Sequence, residues 1–353
     1  MTTGSARLEL GKEYPSPDEA AHIEEIVALF TGMTERKYPP GVRPMRRDAH
    51  TKTHGCVKAE FTVLPDVPER ARVGLFARPA SYAAWIRYSN AFSSIAADRE
   101  IDVRGMAIKV MGVEGEKLLD GERLEKTQDF LLINHNVFFS PGTREYVEFS
   151  REYVKNESPI RYLLRPRNWR QAFILYRAAR GRVTNPLVSR YWSSVPYMHG
   201  SAAVKYSARP CDVRGEKGKP GSSPDFLREA MAAHLRDREA CFDFMVQFQA
   251  DPVRMPVEDP SVEWDERDSP FVPVARIRIP PQVFDTPRQM AYAEQLSFTP
   301  WHSLPEHRPI GGVNRIRKTV YERISTLRHA ANGIPRREPV GFEDFEELEE
   351  SRA

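Results

Sequence analysis

CVKAEFTV, residues 56–63, alternates strictly: Val57, Ala59, Phe61 and Val63 fall on one face, Lys58, Glu60 and Thr62 on the other. Successive strand side chains point to opposite faces, so this is the pattern of a strand with one side against a core and one towards water. Similar alternation or short apolar runs recur at 83–90, 103–112, 129–134, 242–249 and 273–279. Many separated strands imply an antiparallel sheet or barrel, and the expected fold class is α+β with flanking helices.

The helices are fewer. Ser16-Pro17-Asp18-Glu19 reads as a capping box with proline at the first helical position, followed by Ile23, Ile26, Val27 and Phe30 at helical spacing until Gly32. A second helix begins near Pro224 and runs towards Ala240, after the flexible loop GEKGKPGSS at 215–223. Prolines clustered in 251–310 mark long irregular connections rather than a second helical domain. There is no internal repeat. The expected organisation is an N-terminal helical segment over 1–40, a barrel domain with helices over 41–335, and an acidic tail over 336–353.

With 353 residues the chain has ample material for an independent core. Cys56, Cys211 and Cys241 are too few and too scattered for a disulfide framework and form no CxxC pair, which predicts free thiols and a reducing compartment. No stretch approaches the length of a membrane span and the start has no apolar leader, so a soluble cytoplasmic protein is expected. Net charge is 52 minus 49, or +3, but the tail from Glu338 holds seven acids against Arg352, leaving 51 minus 42, or +9, on residues 1–337. A modestly basic body suits anionic small ligands or acidic surfaces and does not demand nucleic acid.

The run from Ser158 to Trp192 has eight arginines and no acid, interleaved with Trp169, Phe173, Ile174 and Tyr176. Asn168 and Gly181 would cap a short basic amphipathic helix. Three readings compete: a helix covering the core with a solvated arginine face, which is the commonest case, a membrane-surface element, and a nucleic-acid patch.

RIRKTVYERISTLR, residues 315–328, poses a sharper question. If helical, it places Arg317, Tyr321 and Arg328 on one face. Fixed positive charge beside a phenol favours its ionised form, an oxygen anion able to bind ferric iron. A solvated basic helix with one amphipathic tyrosine is the plainer alternative.

Further segments sharpen the choice: RRDAHTKTHG (46–55), WIRYSN (85–90), DVRGMAIKV (102–110), LLINHNVFF (131–139), EQLSFTP (294–300) and RKTVY (317–321). In this order they resemble the haem catalase family, from about Arg46 to about Arg328. In that family a tyrosine phenolate is the axial ligand of haem iron, catalase being the standing example of such ligation. The resemblance implies haem b as cofactor, Tyr321 as iron ligand and Arg317 holding it ionised. It puts Arg47, Arg87 and Arg328 at the arginines that pair with haem propionates, whose planar fork suits a carboxylate. It puts His50 at the distal histidine, Asn134 at the distal asparagine and Ser89 at the serine beside the histidine. His50 would take a proton from an incoming peroxide and return it to the leaving oxygen, with Asn134 orienting the peroxide.

The chain departs from the family at three places. HTKTHG stands where His-Ala-Lys-Gly-Ala-Gly is usual, ERISTLR replaces Pro-Asp-Thr after the tyrosine, and His135-Asn136 replaces the proline after the asparagine. The long arm and C-terminal helices of full-size catalases have no room. This looks like the small catalase-related branch, which includes hydroperoxide peroxidases and fatty-acid hydroperoxide isomerases of the allene oxide synthase type. The implied function is peroxide or lipid-hydroperoxide metabolism at a Tyr-ligated haem, with a hydroperoxide isomerase or a non-catalytic haem carrier as alternatives. Implied partners are the peroxide and other copies of the chain in a homo-oligomer, without nucleic acid; the arginine-rich helix at 168–181 adds peripheral contact with an anionic membrane surface.

Plainer readings stand beside these. His50, His54 and Cys56 form an H-x-x-x-H-x-C pattern that lacks a fourth metal ligand. His199, His302 and His307 read as structural or surface residues, and Cys56 and Cys241 as buried small hydrophobes.

Overall fold

The computed structural model describes residues 8–181, 183–212, 220–342 and 345. Among these, the strands are β1 (Thr53–Val63), β2 (Ser81–Asn90), β3 (Arg104–Met111), β4 (Thr127–Ile133), β5 (Tyr191–Trp192), β6 (Tyr197–His199), β7 (Ala202–Pro210), β8 (Ala240–Phe248) and β9 (Val272–Ile279). The helices are α1 (Glu19–Lys37), α2 (Thr143–Asn156), α3 (Ile160–Leu163), α4 (Trp169–Arg180), α5 (Phe226–Leu235), α6 (Pro287–Gln295) and α7 (Gly312–Asn332). Among the described residues no helix is long and apolar enough to cross a membrane.

The sheet order is β5-β4-β3-β2-β1-β9-β8-β7-β6, and β5 also pairs with β7. That extra pairing closes the sheet into an antiparallel barrel, with β6 as an added hairpin strand. The alternating residues Val57, Ala59, Phe61 and Val63 point inward, met by Ile86 of β2, Ile108 of β3, Phe130 of β4, Tyr206 of β7, Phe244 of β8 and Ile277 of β9. The interior is filled, with the Phe61, Phe130 and Phe244 rings 4.7–6.2 Å apart.

The six expected strands are all present, a residue or a few longer or shorter at their ends. Three strands, β5 to β7, and the helices α2, α3 and α6 were not expected from the sequence. The 251–310 region is largely irregular as expected, apart from β9 and α6.

Several local expectations are corrected. The first helix passes Gly32 and ends at Lys37, because Phe30, Met33 and Thr34 stay buried through that turn. No capping box forms at its start: Asp18 makes no side-chain cap, and Glu19, the residue meant to reach back, is bound by Arg315, whose Nη2 lies 2.8 Å from Glu19 Oε2. Asn168 does not cap α4 either, donating its amide instead to the Tyr162 carbonyl at 2.9 Å, and Gly181 has φ −57° rather than a left-handed conformation. The commonest reading of α4 also fails: its aromatic residues face solvent while Gln171 and Ala178 are buried.

Cys211 and Cys241 are joined by a disulfide, Cα atoms 5.4 Å apart, and only Cys56 is free and buried. The β7–β8 register sets this up, since Pro210 pairs with Phe242 and the Cys211 N–H donates to the Cys241 carbonyl at 2.9 Å. The expectation of three free thiols is overturned, and the compartment drawn from them loses that basis.

Outside the barrel, α1, α2 and α7 form a helical layer through Ile26, Phe30 and Met33, Val147, and Ile316, Val320 and Ile324. α7 starts at Gly311, whose φ of +86° and whose 2.6 Å approach of a would-be Cβ to the Val257 carbonyl exclude a side chain. Residues 215–219 of the expected loop, and 343, 344 and 346–353 of the acidic tail, lie outside the described residues. Glu338 at the root of the tail is buried beside Lys109, a fully buried lysine whose Nζ lies 2.7 Å from Asp129 Oδ1 and also binds Glu338. Lys109→Met should destabilise the fold by about 3–5 kcal/mol, because it leaves two buried carboxylates without their cation; the midpoint of urea unfolding measures it.

Candidate active site

α7 lines the site with Arg317, Tyr321 and Arg328, beside the Ile316, Val320 and Ile324 stripe that also packs on α1. Arg317 donates from Nη2 to the Tyr321 hydroxyl at 3.2 Å, one helical turn apart, and its guanidinium lies 5.1 Å from the Tyr321 ring centroid. Burial works against the Arg317 charge, but the Tyr321 and Tyr197 phenols outweigh it and raise its pKa above arginine's ordinary value.

His50 comes from the segment leading into β1. Its φ is +55°, uncommon for a residue with a side chain, and its N–H donates to the Ala91 carbonyl at 3.0 Å. The imidazole Nδ1 lies 3.0 Å from Ser89 Oγ on β2. On β3, Gly105 leaves room for the ring: a Cβ there would stand 2.7 Å from His50 Nδ1 and 2.9 Å from Ser89 Oγ. Burial, reinforced by Arg87, Arg317 and Arg47, holds the His50 pKa down to about 3. The ring is therefore neutral at ordinary pH and open to a proton.

Arg47, Arg87 and Arg328 converge from the loop before β1, from β2 and from α7. Arg47 Nη1 lies 2.9 Å from Glu294 Oε2, and Arg87 Nη2 lies 3.5 Å from Glu294 Oε1. Arg328 binds the Glu294 backbone carbonyl and donates to Ser297 Oγ at 3.0 Å. Burial and then the neighbouring Arg47 pull Arg87 down to about 10 and Arg328 down to about 8. For Glu294 burial is outweighed by Arg47 and Arg87, which hold it down to about 2. Two guanidiniums thus hold the Glu294 carboxylate and a third its backbone carbonyl, and the cluster is short of negative charge.

These groups surround a single cavity of about 250 Å3, whose wall includes Arg47, His50, Arg87, Ser89, Arg317, Tyr321 and Arg328. The rest of the wall is mostly apolar: Met106 and Leu132 from the strands, Phe138 and Phe298 from loops, Val313 and Val320 from α7. Of the site residues that the resemblance implies, Asn134 alone is off the wall. Its side-chain oxygen accepts from the Arg104 backbone N–H at 2.8 Å, and its own N–H donates to the Arg104 carbonyl.

The H-x-x-x-H-x-C pattern is dispersed. His54 Nε2 lies 2.7 Å from Asn90 Oδ1 and its ring is 3.7 Å from Asp98, while Cys56 packs with Trp85, Tyr292 and Leu296. His199, His302 and His307 are fully buried and hydrogen-bonded, so none is a surface residue. Sequence reasoning missed Asp48 and Tyr146, which line the cavity, and the role of Glu294, although EQLSFTP contains it. Burial pushes the Asp48 carboxyl and the Tyr146 phenol up.

No protein-family model and no curated protein sequence matches the chain. Solved structures do. A fungal catalase superposes with TM-score 0.64 at 16% identity, over 94% of this chain and 68% of its own. Catalase A from Saccharomyces cerevisiae gives 0.63 at 18%, over 94% and 70%, and a bacterial catalase gives 0.61 at 18%, over 96% and 67%. The chain has the catalase fold. Within this catalase-like barrel the cavity lies between strand residues and α7, and its donor set fits an iron porphyrin. A phenol backed by a cation could hold ferric iron, arginines in excess of one carboxylate could meet the carboxylates of a ligand, and the apolar wall could take a flat ring system.

Proposed function

We propose that the chain binds haem b in this cavity and cleaves the O–O bond of hydrogen peroxide or organic hydroperoxides there. The observation that carries the reading is the gathering of Tyr321 with Arg317, His50 with Ser89, and the three arginines around one cavity. Tyr321 would hold the iron, and Arg47, Arg87 and Arg328 the propionates. When bound, the haem supplies the redox chemistry that breaks the O–O bond. The protein's own part is proton handling and exclusion of water. Neutral His50 takes the peroxide proton on its free ring nitrogen and returns it to the departing oxygen, while Ser89 fixes the plane of the ring through Nδ1. Arg317 keeps positive charge against the Tyr321 oxygen. The apolar wall favours organic hydroperoxides and keeps the fatty-acid hydroperoxide isomerase in view as the second reading.

Titration of the purified chain with hemin should develop a Soret band that saturates at one equivalent, and stopped-flow mixing with peroxide should then change that band rapidly. No Soret band removes the proposal. A band that peroxide leaves unchanged reduces it to a haem carrier. Turnover with hydrogen peroxide, an alkyl hydroperoxide and a fatty-acid hydroperoxide, with products identified, separates peroxidase from isomerase.

Gly105→Ala tests the positioning of His50. The new methyl must displace the imidazole or Ser89, so peroxide cleavage should fall by about a hundredfold, the scale of a 1 Å misplacement. Hemin binding should persist, because Tyr321 and the arginines are untouched. Stopped-flow rates and hemin titration read the two effects separately.

A further inference from the structure

α4 is built inside out. Trp169, Phe173 and Tyr176 share one helical face at offsets of four and seven, and they are 64%, 59% and 51% exposed. The opposite face buries Gln171 and Ala178. Beside it, α3 leaves Ile160 exposed by 61%, and Leu164, just past its end, by 72%. Scattered exposed apolar residues are ordinary, but such residues gathered on neighbouring helices and rimmed by charge mark an interaction surface.

The rim is cationic. Arg165 and Arg167 pair with Glu152 and Glu148 of α2, and Arg170 lies 3.8 Å from Asp259. Among the described residues no carboxylate pairs with Arg161, Arg177 or Arg180, all exposed. Arg177 and Arg180 lie 5.9 and 5.7 Å from the Phe173 and Tyr176 ring centroids, so cation and aromatic share the same face.

We propose that the α3–α4 surface docks on a lipid bilayer carrying anionic headgroups. Trp169, Phe173 and Tyr176 enter the interface, Ile160 and Leu164 meet the acyl boundary, and Arg161, Arg177 and Arg180 meet the headgroup charges. The two aliphatic side chains set this surface apart from a single-stranded nucleic-acid face, where bases stack on aromatic rings in a basic groove. Face-to-face docking of a second copy would oppose unpaired arginines to unpaired arginines.

The surface is joined to the cavity. Tyr162 of α3 is buried with its ring 5.5 Å from Phe149, which is 4.5 Å from Phe139 and 6.4 Å from Tyr146. Tyr146 and Phe138, 5.5 Å apart, are on the cavity wall. A contiguous aromatic layer therefore links the docking surface to the site, which suits a hydroperoxide arriving from lipid. That link rests on the proposed peroxide chemistry; the docking does not.

Sedimentation of the full chain, without haem, with vesicles of phosphatidylcholine alone or mixed with phosphatidylglycerol tests the docking. The chain should partition onto the anionic vesicles, and salt should weaken the partitioning. Trp169→Ala with Phe173→Ala should lower it by roughly tenfold or more. Arg177→Gln with Arg180→Gln should also lower it by roughly tenfold or more, to the level on neutral vesicles. Both pairs are exposed and should keep the wild-type melting temperature and hemin titration. Wild-type chain left in the supernatant overturns the proposal, as does partitioning that neither pair changes. So does a dimer or an oligonucleotide complex that the same variants abolish, in the absence of vesicle binding. Because the assay needs no haem, its failure is distinct from failure of the proposed activity.

Discussion

His50→Ala should slow peroxide cleavage by about a hundred- to ten-thousand-fold, the usual contribution of a positioned acid–base group, while hemin binding stays near wild type. The separation is expected because the ring belongs to the β1 side of the cavity and is held by Ser89 and by the space at Gly105, while Arg87 donates to the His50 backbone carbonyl, which alanine keeps. Single-turnover mixing with peroxide reads the rate, and the Soret titration reads retention. Ser89→Ala should fall between the two, since it leaves the imidazole in place but frees its plane. The pH dependence has a definite sign. With a folded pKa of about 3 against an ordinary 6.5, the unfolded chain binds a proton at His50 that the native chain does not. Native stability from this group is therefore fully present above about pH 6.5 and is lost progressively as pH falls towards 3.

Tyr321→Phe should weaken hemin binding by at least about a hundredfold and shift whatever Soret band remains. Partners one shell removed from a metal typically contribute ten- to a hundredfold in affinity, and the ligand itself should exceed them. The substitution keeps the ring, so the packing of α7 on α1 and α2 through Ile316, Val320 and Ile324 is unaffected. What is lost is the oxygen that faces Arg317 Nη2. Arg317→Met provides the complementary measurement: the phenol remains, its cation goes, and affinity should drop by roughly ten- to a hundredfold. A Tyr321→Phe chain with an unaltered spectrum would take Tyr321 out of its proposed role.

Parts of the fold were legible in the sequence wherever the pattern repeats within one element. Alternation over 57–63 or 242–248 reports a strand with one buried face, because two-residue periodicity and burial have the same origin in the pleat. β5 has only Tyr191 and Trp192, too short to show any period, yet it closes the barrel by pairing Ile133 with Trp192 and Tyr191 with Ala208. Closure is a property of distant registers and leaves no local trace. The disulfide is the same kind of feature: thirty residues separate Cys211 from Cys241, and only the β7–β8 ladder makes them neighbours.

The α4 segment shows a further limit. Its periodicity correctly marks a helix with a basic and an aromatic component, but period alone does not say which face meets the protein. In the fold the Gln171 and Ala178 face is buried and the aromatics are outside.

By itself, the sequence determined six of the seven strands longer than three residues, the spacing of Arg317 and Tyr321 on one face of a helix, and the motif order that resembles haem catalases, because each is encoded in residues close along the chain. The tertiary structure alone decided barrel closure, the cysteine pairing, the outward aromatics of α4 and the position of Asn134 behind the wall. It also decided the convergence of Arg47, Arg87 and Arg328 on Glu294. Those depend on which surfaces meet and how their charges are desolvated together, and such energies belong to pairs of residues far apart in the chain.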